Sequence, residues 1–167
     1  MKKLLIGFTL LASMSSFANE NQYRLSQKNF APSQYKEDII NQIKDGEKDR
    51  ALRLFNLISN DQLEEIKDEL IIIAAKYKVP KMFKRLQALG ANLYGEDEKG
   101  EGLAYLGGLT YSNMSNTNAE SRMILSMILS DKEYDINFVD SAGKNLLEGA
   151  LAGLHLSMFR KILKRED

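Results

Sequence analysis

The sequence contains no cysteine, no tryptophan, one histidine and two prolines in 167 residues. Without thiols there is no disulfide, no thiol nucleophile, no thiolate metal site and no lipidated cysteine. A single histidine, His155, excludes a histidine-rich zinc or iron centre, and any triad chemistry would rest on that residue alone. An excess of one charge is also lacking, because 23 Lys and Arg face 23 Asp and Glu. Residues 1–18 carry Lys2, Lys3 and no acid, so their removal leaves a net charge of −2. That balance offers no field for nucleic acid or an anionic lipid surface. No later apolar run reaches the ~18 residues of a membrane span.

What is present begins with a targeting pattern. Met1-Lys2-Lys3 is a basic start, residues 4–14 are apolar, and Ser16-Phe17-Ala18 places small residues before a cleavage point. The expectation is a cleaved signal peptide over residues 1–18 and export, to the periplasm of a Gram-negative source or, as second choice, to the medium. No membrane association is expected after cleavage. Residues 19–33 are polar and aperiodic, and Pro32 is read as a break, so they are expected to form a flexible leader to a folded region over residues 34–167.

From Tyr35 onward the apolar spacing is helical. Ile39, Ile40 and Ile43 form one stripe; Leu52, Phe55, Leu57 and Ile58 a second; Ile66, Leu70, Ile73 and Ala74 a third; Met82, Phe83 and Leu86 a fourth. Gly46 and Gly90 stand where a left-handed helix end is needed. Ser59-x-x-Gln62 and Thr117-x-x-Glu120 have capping-box spacing. The stripes also repeat. Asp97-x-x-Gly100 recurs as Asp140-x-x-Gly143, 43 residues on, and Met82-Phe83-x-x-Leu86 recurs as Met158-Phe159-x-x-Ile162, 76 residues on. Ile124-Leu125-x-x-Ile128 fills the slot between them. A period near 33 with about ten extra residues at 111–121 accounts for both offsets.

This pattern resembles the ankyrin-repeat family. Ala74-Ala75, Met82-Phe83-x-x-Leu86 and Gly90-Ala91-Asn92-Leu93 match one unit. Asp97-x-x-Gly100, Gly107-Gly108, Ile124-Leu125-x-x-Ile128 and Asp135-Ile136-Asn137 match the next. Asp140-x-x-Gly143, Leu147, Ala150, His155 and Met158-Phe159-x-x-Ile162 match the last. His155 matches the family's Gly-His turn, with Leu154 in place of the glycine. Of the three helix starts, only Asn145 can cap as the family's threonine does. The resemblance implies an all-α solenoid of about four divergent helix-turn-helix units, at about residues 35–66, 67–99, 100–142 and 143–167, the first of them a degenerate cap. Small residues (Ala74, Ala75, Gly107, Gly108, Ala150, Ala152) would let first helices approach closely. The turns at 92–102 and 134–143 would project as hairpin fingers.

The resemblance further implies protein binding, with no catalytic residue, no cofactor and no metal. Carried over by position, the partner-binding residues are Lys76 and Tyr77, then Glu98, Lys99, Glu101, Leu109, Thr110 and Tyr111, then Ser141, Lys144 and Ala152. Periplasmic ankyrin proteins of this size include self-protection factors that cap the producer's own peptidoglycan hydrolase, of the D,D-endopeptidase or carboxypeptidase type, and this chain is similar in build. A non-inhibitory scaffold for an exported enzyme and an effector secreted into a host or prey cell are the alternatives, and the free protein is expected to be a monomer. His155 is expected to bond backbone at a turn, since its nearest acid, Glu148, is two helical turns back. The acidic tip Glu96-Asp97-Glu98 lacks calcium-loop spacing and is read either as a solvated turn or as a partner contact. Met82, Met123, Met127 and Met158 lie on the stripes and are expected in the core, with Met114 in the insertion exposed. Tyr77, Tyr94, Tyr105 and Tyr111 are the aromatic candidates for contact.

Overall fold

The structure is a computed structural model that describes residues 31–109 and 117–165. The expected signal peptide, the leader up to residue 30, Thr110, Tyr111, Met114 and the side chain of Thr117 lie outside the described residues. Among the described residues the architecture is all-α, and the one β-type contact is an isolated antiparallel bridge between Glu96 and Gly102.

The first helix among the described residues, α1 (Pro32–Lys44), starts at a residue that the sequence reading took as a break. Proline is disruptive inside a helix but suits its first turn, where its missing N–H has no intrahelical partner to lose. The Gln34 side chain accepts the Ala31 N–H at 3.0 Å and closes that end. Tyr35, Ile39 and Ile43 form the buried face, and Gly46 turns the chain at φ 83°. In α2 (Lys48–Leu57) Ala51, Leu54 and Phe55 are buried, followed by Ile58. Leu57, placed on the stripe from sequence, lies on the outer side because 51, 54, 55 and 58 share one face of a 3.6-residue helix. The single-turn α3 (Asn60–Glu64) is closed by the reciprocal Ser59–Gln62 capping box.

Two further helices, α4 (Lys67–Lys76) and α5 (Pro80–Ala88), bury Leu70, Ile71, Ala74 and Ala75 against Met82, Phe83 and Leu86, and Gly90 exits at φ 71°. Next come α6 (Leu103–Gly108) and α7 (Thr117–Ser130), then α8 (Leu146–Ala152) and α9 (Leu156–Ile162). Asn145 caps α8 and forms a capping box with Glu148, at 2.9 Å in each direction. In α7, Ile124, Leu125 and Ile128 are buried, while Met123 is 54 % exposed and Met127 half-buried. Met123 therefore leaves the expected core: it sits one residue before the buried pair and points away from it.

The helices form two rows. Within one, α1, α4, α6 and α8 each touch the next; within the other, α2, α5, α7 and α9 do the same; and α1/α2, α4/α5, α6/α7 and α8/α9 pack as pairs between the rows. No single pair could bury its apolar face alone, and the shared core runs from Tyr35 to Ile162. Basic side chains donate to carbonyls at or beyond helix ends, Arg85 onto the neighbouring pair, Lys67 within its own pair and Arg165 onto the loop after α7. Arg85 donates to Phe55 O and Ile58 O at 3.1 and 2.9 Å, Lys67 to Leu89 O at 2.9 Å, and Arg165 to Tyr134 O at 2.8 Å. Arg85 and Lys67 use C-terminal helix carbonyls, where internal donors run out.

Candidate functional site: the finger ridge

Between α5 and α6, and again between α7 and α8, the chain forms a finger with one hydrogen-bonding plan. Asn92 Oδ1 accepts the Tyr94 N–H at 2.9 Å, and Asp135 Oδ1 accepts the Asn137 N–H at 2.8 Å. Gly100 N–H donates to Asp97 O and Gly143 N–H to Asp140 O, both at 2.9 Å, with φ 74° and 76° at the two glycines. Each aspartate also accepts from the backbone four residues on, Glu101 N–H at 3.1 Å and Lys144 N–H at 2.7 Å. The 43-residue sequence offset is thus an offset between equivalent backbone turns.

The fingers lie side by side and are tied together. Ala142 N–H donates to Gly100 O at 3.0 Å, Ser141 N–H to a Glu96 carboxylate oxygen at 2.8 Å, and Gly102 N–H to Asp140 Oδ2 at 2.5 Å. Behind them, Tyr94 stacks on Tyr134 with centroids 5.1 Å apart and meets Phe138 edge-on at 4.9 Å. The Tyr94 hydroxyl donates to Glu133 O and accepts the Asp135 N–H. Tyr94, a contact candidate from sequence, is thus engaged at the base of the fingers.

Lys76, at the end of α4, reaches Asp97 at 2.7 Å and Glu98 at 3.1 Å. Burial raises the Asp97 carboxyl, but the Lys76 ammonium and the N–H groups of Lys99 and Glu101 outweigh it and hold the acid below its ordinary value. One finger later, the Lys144 ammonium stands 5.8 Å from the centre of the Tyr105 ring of α6. Of the expected contact residues, Lys76, Glu98, Lys99, Glu101, Ser141 and Lys144 are gathered on this ridge. Glu98, Lys99 and Ser141 are exposed, and the others half-buried. Tyr77 and Leu109 are half-buried at the ends of α4 and α6, and Ser121 Oγ donates to Leu109 O at 3.1 Å. Ala152 is exposed at the end of α8, so it does not serve the close helix approach assigned to it.

That approach is made by Gly108, Gly149 and Gly153. A Cβ on Gly108 would lie 2.8 Å from the Gly149 Cα and nearer still to its carbonyl, and one on Gly149 would lie 2.9 Å from the Tyr105 Cα. Gly153 faces Gly108 O. His155, 2 % exposed, sets Nε2 3.0 Å from the same oxygen. A carbonyl only accepts, so Nε2 carries the hydrogen. Burial lowers the ring's pKa, and Arg122 and Lys78 act the same way against the Gly108 hydrogen bond. Glu148 is engaged in the α8 cap.

Sequence reasoning missed Lys78. It is 1 % exposed, at φ 60°, and its ammonium donates to Ala75 O at 2.9 Å and to Leu106 O across the pair boundary. Lys48 donates to Lys78 O and to the Glu120 carboxylate, both at 3.1 Å. Burial pushes the Lys78 pKa down to about 7, with Lys48 adding to the effect and Glu120 opposing it. The 76-residue offset, extended four residues upstream of Met82, aligns Lys78 with Leu154 and marks a shared turn, but nothing in the sequence marks the burial.

The ridge is suited to recognition by shape, charge and hydrogen bonding. Among the described residues no group of three or more metal-ligating side chains comes together. Comparison with family models, with curated proteins and with solved structures returned no match.

Proposed function

We propose that the chain is an ankyrin-like binding module that grips an exported protein through its finger ridge, and that the partner is a periplasmic peptidoglycan hydrolase of the D,D-endopeptidase type whose active site it covers. The observation that carries the binding reading is the pair of equivalent fingers, hydrogen-bonded side by side, with Glu98, Lys99 and Ser141 exposed at their tips. The tips rest on turns fixed by glycine and aspartate geometry, so they meet a partner already ordered and lose little freedom on binding. The two-row stacking of helix pairs supports the ankyrin-like assignment, since that fold repeats one pair and one finger per unit. A stable complex buries ~1,200–2,000 Å² in total, which requires several adjacent units to act together. The hydrolase as partner rests on the family resemblance and the expected export.

The test is a titration of the exported chain against the purified D,D-endopeptidases of its own source. Binding with loss of peptidoglycan cleavage is expected. Glu98→Arg combined with Ser141→Arg should weaken binding about tenfold or more while leaving the melting temperature in place. Binding with unchanged cleavage would replace the inhibitory reading by a scaffolding one. Failure to bind any of these enzymes would overturn the choice of partner.

A further inference from the structure

The 76-residue offset joins more than two sequence motifs. Lys78 and Leu154 are the two non-glycine residues at positive φ among the described residues, at 60° and 56°. The residue after each closes the same turn, Val79 N–H on Ala74 O at 2.9 Å and His155 N–H on Ala150 O at 2.8 Å. Met82 and Leu86 are buried, as are their counterparts Met158 and Ile162. The α4/α5 and α8/α9 pairs can therefore be compared position by position.

Three positions of α4/α5 reach forward onto the next pair. The Ala75 methyl lies 4.0 Å from where a Cβ on Gly107 would stand, Lys78 donates to Leu106 O, and Gln87 donates to Met127 O at 3.3 Å. Their counterparts in α8/α9 are Leu151, Leu154 and Leu163, which are 51, 76 and 62 % exposed. All three are leucine, and all three face the side where no further pair lies among the described residues. Leu156, 61 % exposed, is beside them. Leu154 is the most telling. A left-handed backbone is unfavourable for leucine, and at Lys78 the same conformation serves a contact across a pair boundary. At Leu154 the apolar side chain points into water.

We infer that this leucine face is a docking surface for a second copy of the chain, end against end about a two-fold axis. The four leucines present on the order of 400 Å², about half of what each partner gives to a standard interface. Continuity with the internal boundary favours a helix pair as the occupant, because the equivalent positions Ala75, Lys78 and Gln87 pack on a helix pair. Among the described residues this end of the stack is the more apolar of the two. The opposite end, on α1 and α2, exposes Glu37, Asn41, Asp49, Arg53 and Asn56 beside a single large apolar residue, Leu57, so head-to-tail stacking would set most of the leucine face against polar and charged groups, whereas two leucine faces match each other. The fingers stay free in such a dimer, so the inference stands independently of the hydrolase proposal.

The contact also has an electrostatic character. Arg160, Lys161 and Lys164 are exposed on α9 and its exit, and a two-fold contact on this face would set these like charges near one another. Association should therefore strengthen as salt screens the repulsion, opposite to a contact between a basic rim and an acidic partner.

Light scattering and sedimentation of the purified chain between ~1 μM and ~1 mM should give a mass that rises with concentration, stops at twice the monomer, and rises sooner in higher salt. Leu151→Asp with Leu154→Asp should weaken association about tenfold or more, with an unchanged helical spectrum. Leu154→Gly removes the side chain and relieves the backbone, so it should dissociate the dimer while melting no lower than the wild-type monomer. A monomer at every concentration would overturn the inference and leave the face to a different partner. Growth beyond a dimer, or a dimer indifferent to all three substitutions, would overturn it equally.

Discussion

The turns at Lys78 and at Leu154 have the same backbone and opposite surroundings. Lys78 is sealed between two helix pairs and donates to the end of α6; Leu154 stands 76 % exposed. The two turns face each other across α6, for Lys78 reaches forward to Leu106 O while His155, next to Leu154, reaches back to Gly108 O. A repeat thus fixes where the chain bends, and the neighbouring pair decides what the residue at the bend does. The difference is physical: a cation buried at that position needs carbonyls from the next pair, and among the described residues no further pair packs on Leu154.

The contrast is most vulnerable at the seat between the two turns. Gly108→Ala forces a methyl into the Gly149 backbone and drives α6 from α8, for a loss of about 3 kcal/mol or more in urea unfolding. Lys78→Met, which keeps the bulk and leaves Leu106 O without its donor, is expected to cost ~2 kcal/mol. It also carries a pH signature. The folded-state pKa of about 7 lies below the ordinary 10.5, so this group's contribution to stability is lost as pH falls through 7 and grows from 7 to 10.5. The wild type should gain stability over that range relative to Lys78→Met.

His155→Gln tests the backward reach. The amide can still meet Gly108 O, so a cost of ~1 kcal/mol is expected at pH 8. The imidazole's folded value is depressed, so its contribution is present above 6.5 and lost as pH falls through the folded value. Unfolding midpoints of the wild type should fall on acidification more steeply than those of His155→Gln. The smallest effect refines the contrast between the two turns and leaves both in place. Leu154→Gly puts the residue suited to φ 56° at that turn and should stabilise the monomer by ~1 kcal/mol, measured at concentrations too low for association.

Much of the fold was legible where chemistry is local. Asp97-x-x-Gly100 and Asp140-x-x-Gly143 mark the finger turns because an aspartate that bonds its own downstream backbone, followed by a glycine at positive φ, needs no distant partner. Ser59, Asn145, Gly46 and Gly90 were readable for the same reason. Pro32 misled because a proline breaks a helix from inside and favours one from its first turn, and the residues after it determine which of the two applies. Lys78 was missed because a lysine reads as surface until tertiary structure supplies the carbonyls that make its burial tolerable. Of the candidate site, the tips Glu98, Lys99 and Ser141 were expected from the family resemblance, while the aromatic base of Tyr94, Tyr134 and Phe138 came only from the way two distant segments pack.

The helices, their turns and the spacing at which they recur were set by sequence alone, since these depend on side chains acting on backbone a few residues away. Tertiary packing settled which glycines let α6 and α8 touch, which lysine is buried and which leucines remain at the end of the stack. Those outcomes depend on contacts between residues that the chain separates and the packing of helix pairs brings together.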